Sequence, residues 1–139
     1  YMNDSAYGAT YGKLYNWYAL NDPRGLAPAG YHIPSDAEWT TLTSGLGGDA
    51  AAPKKMKETG DAHWKTPNTG SNNSSGFTAL PAGNRNSGAT FSGLGANANW
   101  WSSTEALPTV SWFRSLSYGE VIRGYDYKRS GFSVRCLRD

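Results

Sequence analysis

The stretch from Thr109 to Asp139, TVSWFRSLSYGEVIRGYDYKRSGFSVRCLRD, decides how the rest of the chain is interpreted. Its alternate positions fall into two sets, Trp112, Arg114, Leu116, Tyr118 and Phe113, Ser115, Ser117, Gly119. This period of two predicts a β-strand with two different faces. We expect the first set, whose members are all large, to hold the strand on a core. The second set is expected to carry side chains that the fold does not dictate.

Two further patches follow in the same tail. Gly124, Tyr125, Asp126 and Tyr127 mix an acid, two aromatic rings and a glycine, and a second alternating run closes the chain at residues 131–136. Alternation again predicts a strand. We therefore expect the tail to be both the centre of the sheet and the binding surface, with residues 109–130 as that surface.

Length and charge limit the classes of function. The 139 residues fit a single domain, residues 1–139, and a net charge of +2 gives no nucleic-acid footprint. From residue 109 onward, six basic residues face three acidic ones, so the tail carries +3 and the first 108 residues carry −1. A basic, aromatic tail suits a recognition surface, and it equally suits a solvated strand edge protected against aggregation.

Composition points to a compact extracellular domain. Aromatic residues reach 14% and there are 17 glycines, so rings build the core and glycines build the turns. The single cysteine, Cys136, excludes an intrachain disulfide. No apolar run is long enough to span a membrane, and no signal peptide is recognisable. Because the sequence begins at Tyr1 without a methionine, we expect a processed protein or one domain of a larger protein.

Helix signals lie in the first half of the chain. Residues 12–16 suggest a strand running into a short helix, and Ser35 with Glu38 three residues later predicts a capping box. Trp39 and Leu42 should then face inward. A second short helix is expected within residues 50–58. Its markers are Pro53 near its first turn, Met56 facing inward and Gly60 as its stop.

Strand signals fill the second half. After a long polar loop over residues 63–75, anchored by Trp64, strands are expected within residues 76–85 and 99–105, with a hairpin or turn at 91–95 between them. A turn at Pro108 leads into the terminal hairpin. Helices followed by strands indicate an α+β domain with long loops.

Four motifs in this order resemble a known family. GYHIPSDAEW at 30–39, GFTALPAGNR at 76–85, WWSSTE at 100–105 and GFSVRC at 131–136 are similar to the Fibrobacter succinogenes major paralogous domain. The resemblance implies a C-type-lectin-like fold related to the formylglycine-generating enzyme: two early helices, a small twisted, mainly antiparallel sheet and long loops around a terminal strand pair. Many members carry a cysteine where this chain has Ala27, expected to pair with the one matching Cys136. Cys136 is therefore expected to be a buried free thiol in the last strand.

The tail also resembles the variable region of proteins diversified by retroelements, in which adenine-directed mutagenesis rewrites asparagine codons near the end of a C-type-lectin-like domain. Trp112 cannot arise in this way, so it is expected to be a fixed core residue, and all ten asparagines of the chain lie at or before Asn99. On this resemblance the binding residues are Phe113, Ser115, Ser117, Gly119, Ile122, Gly124, Tyr125, Asp126, Tyr127, Arg129 and Ser130. The expected scaffold is Trp112, Arg114, Leu116, Tyr118, Val121 and the strand at 132–136.

The residues give little support for catalysis or metal binding. His32 and His63 lack a second ligand at metal spacing, so we expect His32 to satisfy backbone groups in its turn. The formylglycine-generating relatives would need a pair of cysteines in the active site, and the single Cys136 cannot supply it. Asp36 and Glu38 are expected to be helix caps, and both Trp100 and Trp101 core residues. Glu105 is a candidate calcium ligand without the sugar-coordinating motifs of lectins, so we expect no metal and no cofactor.

These observations lead to one functional hypothesis and an alternative. We expect a non-enzymatic recognition domain of a bacterial cell-surface protein or phage receptor-binding protein, whose ligand is a protein or glycan on another cell. Nucleic acid and direct membrane insertion are not expected. The alternative is an invariant extracellular glycan-binding or adhesion domain. An ordinary paralogue of the family with an unremarkable surface strand also remains open.

Overall fold

Helices precede most of the strands along the chain. The computed structural model describes residues 4–65, 67–117 and 119–139. Its helices are α1 (Ser5–Tyr11), a 3-10 helix (Trp17–Asn21), α2 (Asp36–Gly45) and α3 (Ala52–Met56). Its strands are β1 (Tyr31–His32), β2 (Ala82–Arg85), β3 (Phe91–Leu94), β4 (Ala98–Leu107), β5 (Val110–Leu116), β6 (Val121–Tyr127) and β7 (Leu137–Arg138). The predicted α+β class with a mainly antiparallel sheet is confirmed.

The main sheet has five strands in the order β3-β2-β4-β5-β6. All neighbours pair antiparallel except β2 and β4, which are parallel. The sheet is therefore centred on β4, and the expectation that the tail forms its centre is wrong. The tail instead contributes β5 and the edge strand β6, while β7 pairs with β1 in a separate two-stranded sheet.

The two adjacent tryptophans of β4 divide the core between the two faces of the sheet. Trp100 lies in a cluster with Trp39 of α2, Leu116 and Val121, which we call the helix-side core. Trp101 packs on the other face with Trp17 and Phe132, in what we call the opposite core. Successive strand residues point to opposite faces, so one dipeptide anchors both clusters. The prediction that both tryptophans are buried is confirmed.

The predicted helix signals are confirmed where they are local. Ser35 Oγ accepts a hydrogen bond from the Glu38 amide, and the Glu38 carboxylate accepts one from the Ser35 amide at 2.7 Å, which completes the capping box. Trp39 is 2% exposed and Met56 of α3 is 1% exposed. Trp64 anchors the long loop as expected, since it is buried and its indole donates to the Ala79 carbonyl. None of the described helices combines the length and apolar character needed to cross a bilayer.

Several predicted strand segments are shorter than expected or absent. Residues 12–16 form no strand: α1 precedes them, and only Tyr15 makes an isolated bridge, to Phe132. Within 76–85 only β2 is a strand, whereas the hairpin partner expected at 91–95 is confirmed as β3. The run 131–136 is held by isolated bridges at residues 131–133 and then leaves the sheet.

Cys136 was expected to be buried in the last strand, and this is wrong. Its thiol is free and the residue is exposed, in the segment between the bridge at Ser133 and β7. Within GFSVRC, residues 131–136, only the first residues therefore belong to the core. Phe132 is 2% exposed, whereas Arg135 lies at the surface over the Phe77 ring.

His32 contacts carboxylates and not the backbone groups that were expected. Its Nδ1 lies 2.7 Å from Asp139 Oδ1 and its Nε2 lies 2.9 Å from Glu38 Oε1, so the ring joins the two-stranded sheet to the start of α2. Hydrogen bonds to Asp139 and then to Glu38 raise the pKa of His32 above its ordinary value. The bonds from Ser35, followed by that from His32, lower the pKa of Glu38.

These contacts predict a pH-dependent stability. A histidine whose pKa is raised by folding stabilises the fold fully below its unfolded pKa, and this contribution disappears as the pH rises through the folded value. We expect the free energy of unfolding to fall as the pH rises from about 6.5, the ordinary pKa of histidine, through the raised pKa of His32 in the fold, and the substitution His32→Asn to remove this part of the slope. Urea unfolding at a series of pH values measures it. The variant His63→Gln should keep the slope, and an unchanged slope in His32→Asn would contradict the prediction.

Candidate functional site

The register of the β5–β6 hairpin divides the predicted binding residues between two faces. Residues directly opposite each other in an antiparallel pair share a face. Trp112 lies opposite Tyr125 and Val110 opposite Tyr127, on the face that carries the helix-side core. Phe113 lies opposite Gly124, on the face of the opposite core. The alternate set that the sequence singled out therefore does not share a face with the two tyrosines of β6.

The helix-side surface of the hairpin carries an exposed array of rings and guanidinium groups. Tyr125 and Tyr127 are 61% and 51% exposed. The Trp112 ring meets the Tyr125 ring edge-on at 5.7 Å, and the Arg123 guanidinium lies 3.5 Å from the centre of the Trp112 ring. Arg129 covers the Tyr127 ring at 5.2 Å. We call these five residues the aromatic face.

Trp112 was expected to be a core residue, and this is wrong. The residue is half-buried, and its contacts are with Arg123 and Tyr125 at the surface. Arg114 is the next residue on the same face, and its guanidinium bonds to Asp36 and Thr40 of α2. The helix therefore covers Arg114 and leaves Trp112 beyond its end, as part of the aromatic face.

Asp36 holds the aromatic face to the helix. Its carboxylate binds Arg114, whose side chain is 3% exposed, and also Arg123, with a 2.9 Å contact. Burial by itself would raise the pKa of Asp36, but the hydrogen bonds from Arg123 and Arg114 outweigh it and hold the pKa below its usual range. Because Arg123 is fixed by Asp36, it is also fixed over Trp112. Asp36 was predicted only as a helix cap, since its partners lie 78 and 87 residues away in sequence.

The other face of the hairpin is mostly structural. Phe113 packs on Phe132 with ring centres 4.9 Å apart, and a Cβ at Gly124 would lie 2.9 Å from the Phe113 ring. Larger residues at position 124 would therefore displace Phe113. Ser130 is fully buried and its hydroxyl donates to Asp126 Oδ1 at 3.2 Å.

The predicted site residues consequently differ in accessibility. Five are exposed: Gly119, Ile122, Tyr125, Tyr127 and Arg129. Four are half-buried: Phe113, Ser117, Gly124 and Asp126. Two are buried: Ser115 and Ser130. Of the predicted scaffold, Arg114, Leu116 and Val121 are buried as expected, and Tyr118 lies outside the described residues. The two buried positions cannot contact a ligand without rearrangement of the hairpin.

Residues with metal-ligating side chains do not gather at this site. Across residues 4–65, 67–117 and 119–139, no three His, Cys, Asp or Glu side chains lie close enough to hold a metal ion. Glu105, the candidate calcium ligand, pairs with Lys128 at 2.8 Å. The chemistry that the aromatic face offers is stacking, cation–π contact and hydrogen bonding by tyrosine and arginine.

Comparison with known proteins identifies the family. A protein-family model, the Fibrobacter succinogenes major domain, matches residues 1–138. No curated protein and no solved structure matches the chain.

The shared carboxylate predicts a large effect of a single substitution. Asp36→Asn leaves the buried Arg114 guanidinium without its counter-charge, so we expect a loss of about 3 kcal/mol in the free energy of unfolding. Asp22→Asn is the matched control, because its partner Arg24 is 88% exposed and the same substitution there should cost far less. Chemical denaturation of the two variants measures the difference. Equal effects would show that the Asp36 pair is not a structural anchor.

Proposed function

The chain belongs to the Fibrobacter succinogenes major domain family, and we propose that it is a non-enzymatic recognition domain whose ligand binds at the aromatic face. The single observation that carries this proposal is the grouping of three aromatic rings and two guanidinium groups on one accessible surface of β5, β6 and the turn after them. Tyrosine, tryptophan and arginine are the residue types that contribute most to binding energy at interfaces. A soluble domain rarely exposes such a group of rings without using it.

The contacts within the aromatic face support a preorganised binding surface. Asp36 fixes Arg123, Arg123 stacks on Trp112, and Trp112 contacts Tyr125. Each of these side chains has already lost part of its rotamer freedom in the free protein. Much of the entropy that these side chains would lose on binding is therefore already lost on folding, and this favours affinity for a ligand.

The exposed positions of the tail support diversification as part of the proposal. Ile122, Tyr125, Tyr127 and Arg129 lie on the edge strand β6 or in the turn after it. Substitution of exposed residues changes stability little, so these positions can vary without disturbing the core. With the resemblance of the tail to retroelement-diversified regions, this suggests a variable C-type-lectin-like domain. It would belong to a bacterial surface protein or phage receptor-binding protein, with a protein or glycan ligand on another cell.

One observation favours the alternative, an invariant glycan-binding or adhesion domain. Trp112 and Arg123 belong to the aromatic face but not to the set of positions that resemble variable ones. Their stacked pair is held by Asp36, so the centre of the surface is built from residues that the scaffold requires. A ligand that depends mainly on Trp112 and Arg123 would be recognised in the same way whatever stands at the neighbouring positions.

The binding function is tested by removing the two exposed rings. In the double variant Tyr125→Ala, Tyr127→Ala we expect the free energy of unfolding to change by no more than about 1 kcal/mol. Binding to a panel of intact bacterial cells and to a glycan array should fall about 100-fold. Tyr31→Ala, which removes a ring that is 43% exposed and belongs to the separate two-stranded sheet, is the matched control and should bind normally.

The outcomes of this experiment separate the two candidate functions. Full binding by the double variant would refute the aromatic tyrosines as the ligand contact. Binding of one glycan that survives scrambling of Phe113, Tyr125 and Tyr127 would favour the invariant domain. Loss of cell binding after protease treatment of the cells would identify a protein ligand.

Diversification is tested in the genomic DNA. We expect a nearby reverse-transcriptase gene and a template repeat almost identical to the codons for residues 109–130, differing only at adenines. Because Ser115 and Ser130 are buried, copies from related strains should vary less at these two codons than at those for Tyr125, Tyr127 and Arg129. A genomic neighbourhood without such a repeat would contradict diversification. It would not bear on the binding proposal, which the tyrosine double variant tests.

A further inference from the structure

A second surface feature lies next to Arg129 of the aromatic face, between α1 and the β2–β3 hairpin. It is a cleft of about 720 Å³ whose lining includes three basic side chains, Lys13, Arg85 and Arg129. Among the described residues, Asp4 is the only acidic one in the lining, and its carboxylate accepts a hydrogen bond from the Ala6 amide at the start of α1. The cleft therefore carries an excess of positive charge.

The three basic residues come from separate segments that meet at one point of the backbone. Gly131 exchanges two hydrogen bonds with Arg85, at 2.7 and 2.9 Å. Phe132 exchanges two with Tyr15, at 2.8 and 3.0 Å, which places the segment of Lys13 beside them. Arg129 lies two residues before Gly131 in the same chain segment. The backbone positions of the cations are thus set by the fold and need no ligand to assemble them.

These cations have no acidic partner in the part of the chain that the structure describes. Among the described residues, no carboxylate pairs with Lys13, Arg85 or Arg129, and Arg129 makes only its contact with the Tyr127 ring. By contrast, Arg114, Arg123 and Lys128 all have acidic partners. Arg85 is half-buried, and no carboxylate of the described residues lies within ion-pair distance of its guanidinium. An anion would satisfy it by charge-assisted hydrogen bonds.

We propose that this cleft binds the carboxylate group of an acidic saccharide, with Arg85 as the central contact and Lys13 and Arg129 beside it. The proposal rests on the recognition function proposed above and specifies the chemistry of its ligand. A volume of about 720 Å³ lies in the range of small-ligand sites and has room for a terminal sugar and part of the next unit. An acidic peptide would be better matched by a row of cations along one element.

Arg129 links the cleft to the aromatic face. Its side chain lines the cleft and its guanidinium covers the Tyr127 ring. One saccharide chain could therefore place its acidic unit in the cleft and a neighbouring unit against Tyr127. Lys13 and Arg85 do not belong to the positions that resemble variable ones, so these two anion contacts would stay constant while Arg129 and the surface beside it change.

The test is calorimetric titration of the full chain with D-glucuronate, N-acetylneuraminate and inorganic sulfate, with glucose as the neutral control. At least one acidic sugar should bind, glucose should not, and the affinity should fall as NaCl is raised. Arg85→Gln should lower the affinity about tenfold or more, and Lys13→Gln and Arg129→Gln should each lower it less. Arg85→Lys keeps the charge and should restore part of the affinity.

Lys54→Gln is the matched control, because Lys54 is an exposed basic residue of α3 outside the cleft. Equal losses in Lys54→Gln and Lys13→Gln would mean diffuse attraction and would overturn the proposal. So would an absence of binding by both acidic sugars, or sulfate binding as tightly as the sugars, which would mean an adventitious ion only. Tighter binding of a hexaglutamate peptide would replace the saccharide with an acidic peptide.

The two proposals can fail separately. The variant Tyr125→Ala, Tyr127→Ala should keep its affinity for the free acidic sugar, since neither ring lines the cleft. If that affinity persists while the variant also keeps full cell binding, the aromatic face is refuted and the cleft stands. If cell binding is lost in this variant but unaffected by Arg85→Gln, the cleft is refuted as part of the recognition surface.

Discussion

The carboxylate of Asp36 is the contact on which the order of the aromatic face depends. It neutralises Arg114, which is buried between α2 and β5, and it orients Arg123, which covers Trp112. A buried guanidinium without a counter-charge would be strongly destabilising, so the helix and the hairpin are locked together by electrostatics as well as by apolar packing. The same interaction that stabilises the domain therefore also orders the centre of the aromatic face.

Local sequence signals predicted the parts of the fold that depend on neighbouring residues. The capping box at Ser35 and Glu38, the inward Trp39 and the opposite orientations of Trp100 and Trp101 follow from spacing alone. The partners of Asp36 could not be predicted in this way, because they come from strands 78 and 87 residues later. The same holds for the bridge from Tyr15 to Phe132 and for the cations that meet near Gly131.

Alternation identified the strand of the tail but not which of its residues are exposed. Period-two patterning separates two faces, and burial then depends on what covers each face along its length. Helix α2 covers Arg114 but not Trp112, so a large residue of the supposed core set reaches the surface. Phe132 and Trp101 cover Phe113, so a residue of the supposed permissive set is half-buried. Tyr125 lies opposite the uncovered Trp112 and is exposed, whereas Val121 on the same face of β6 is buried in the helix-side core, a difference that alternation does not reveal.

Under the proposed diversification, Arg129 lies where a constant and a changing part of the surface would meet. The residues that fix the backbone around it, Gly131 and Phe132, are both buried and bonded to segments from the first two-thirds of the chain. On β6, which precedes it, the side chains of Tyr125 and Tyr127 are exposed to solvent. Variation in the exposed rings would thus alter the contacts beside the cleft without moving Arg85 or Lys13. The cations of the cleft and the exposed rings are different residues. If the rings vary and the cations stay, the domain would change its selectivity but keep one class of ligand.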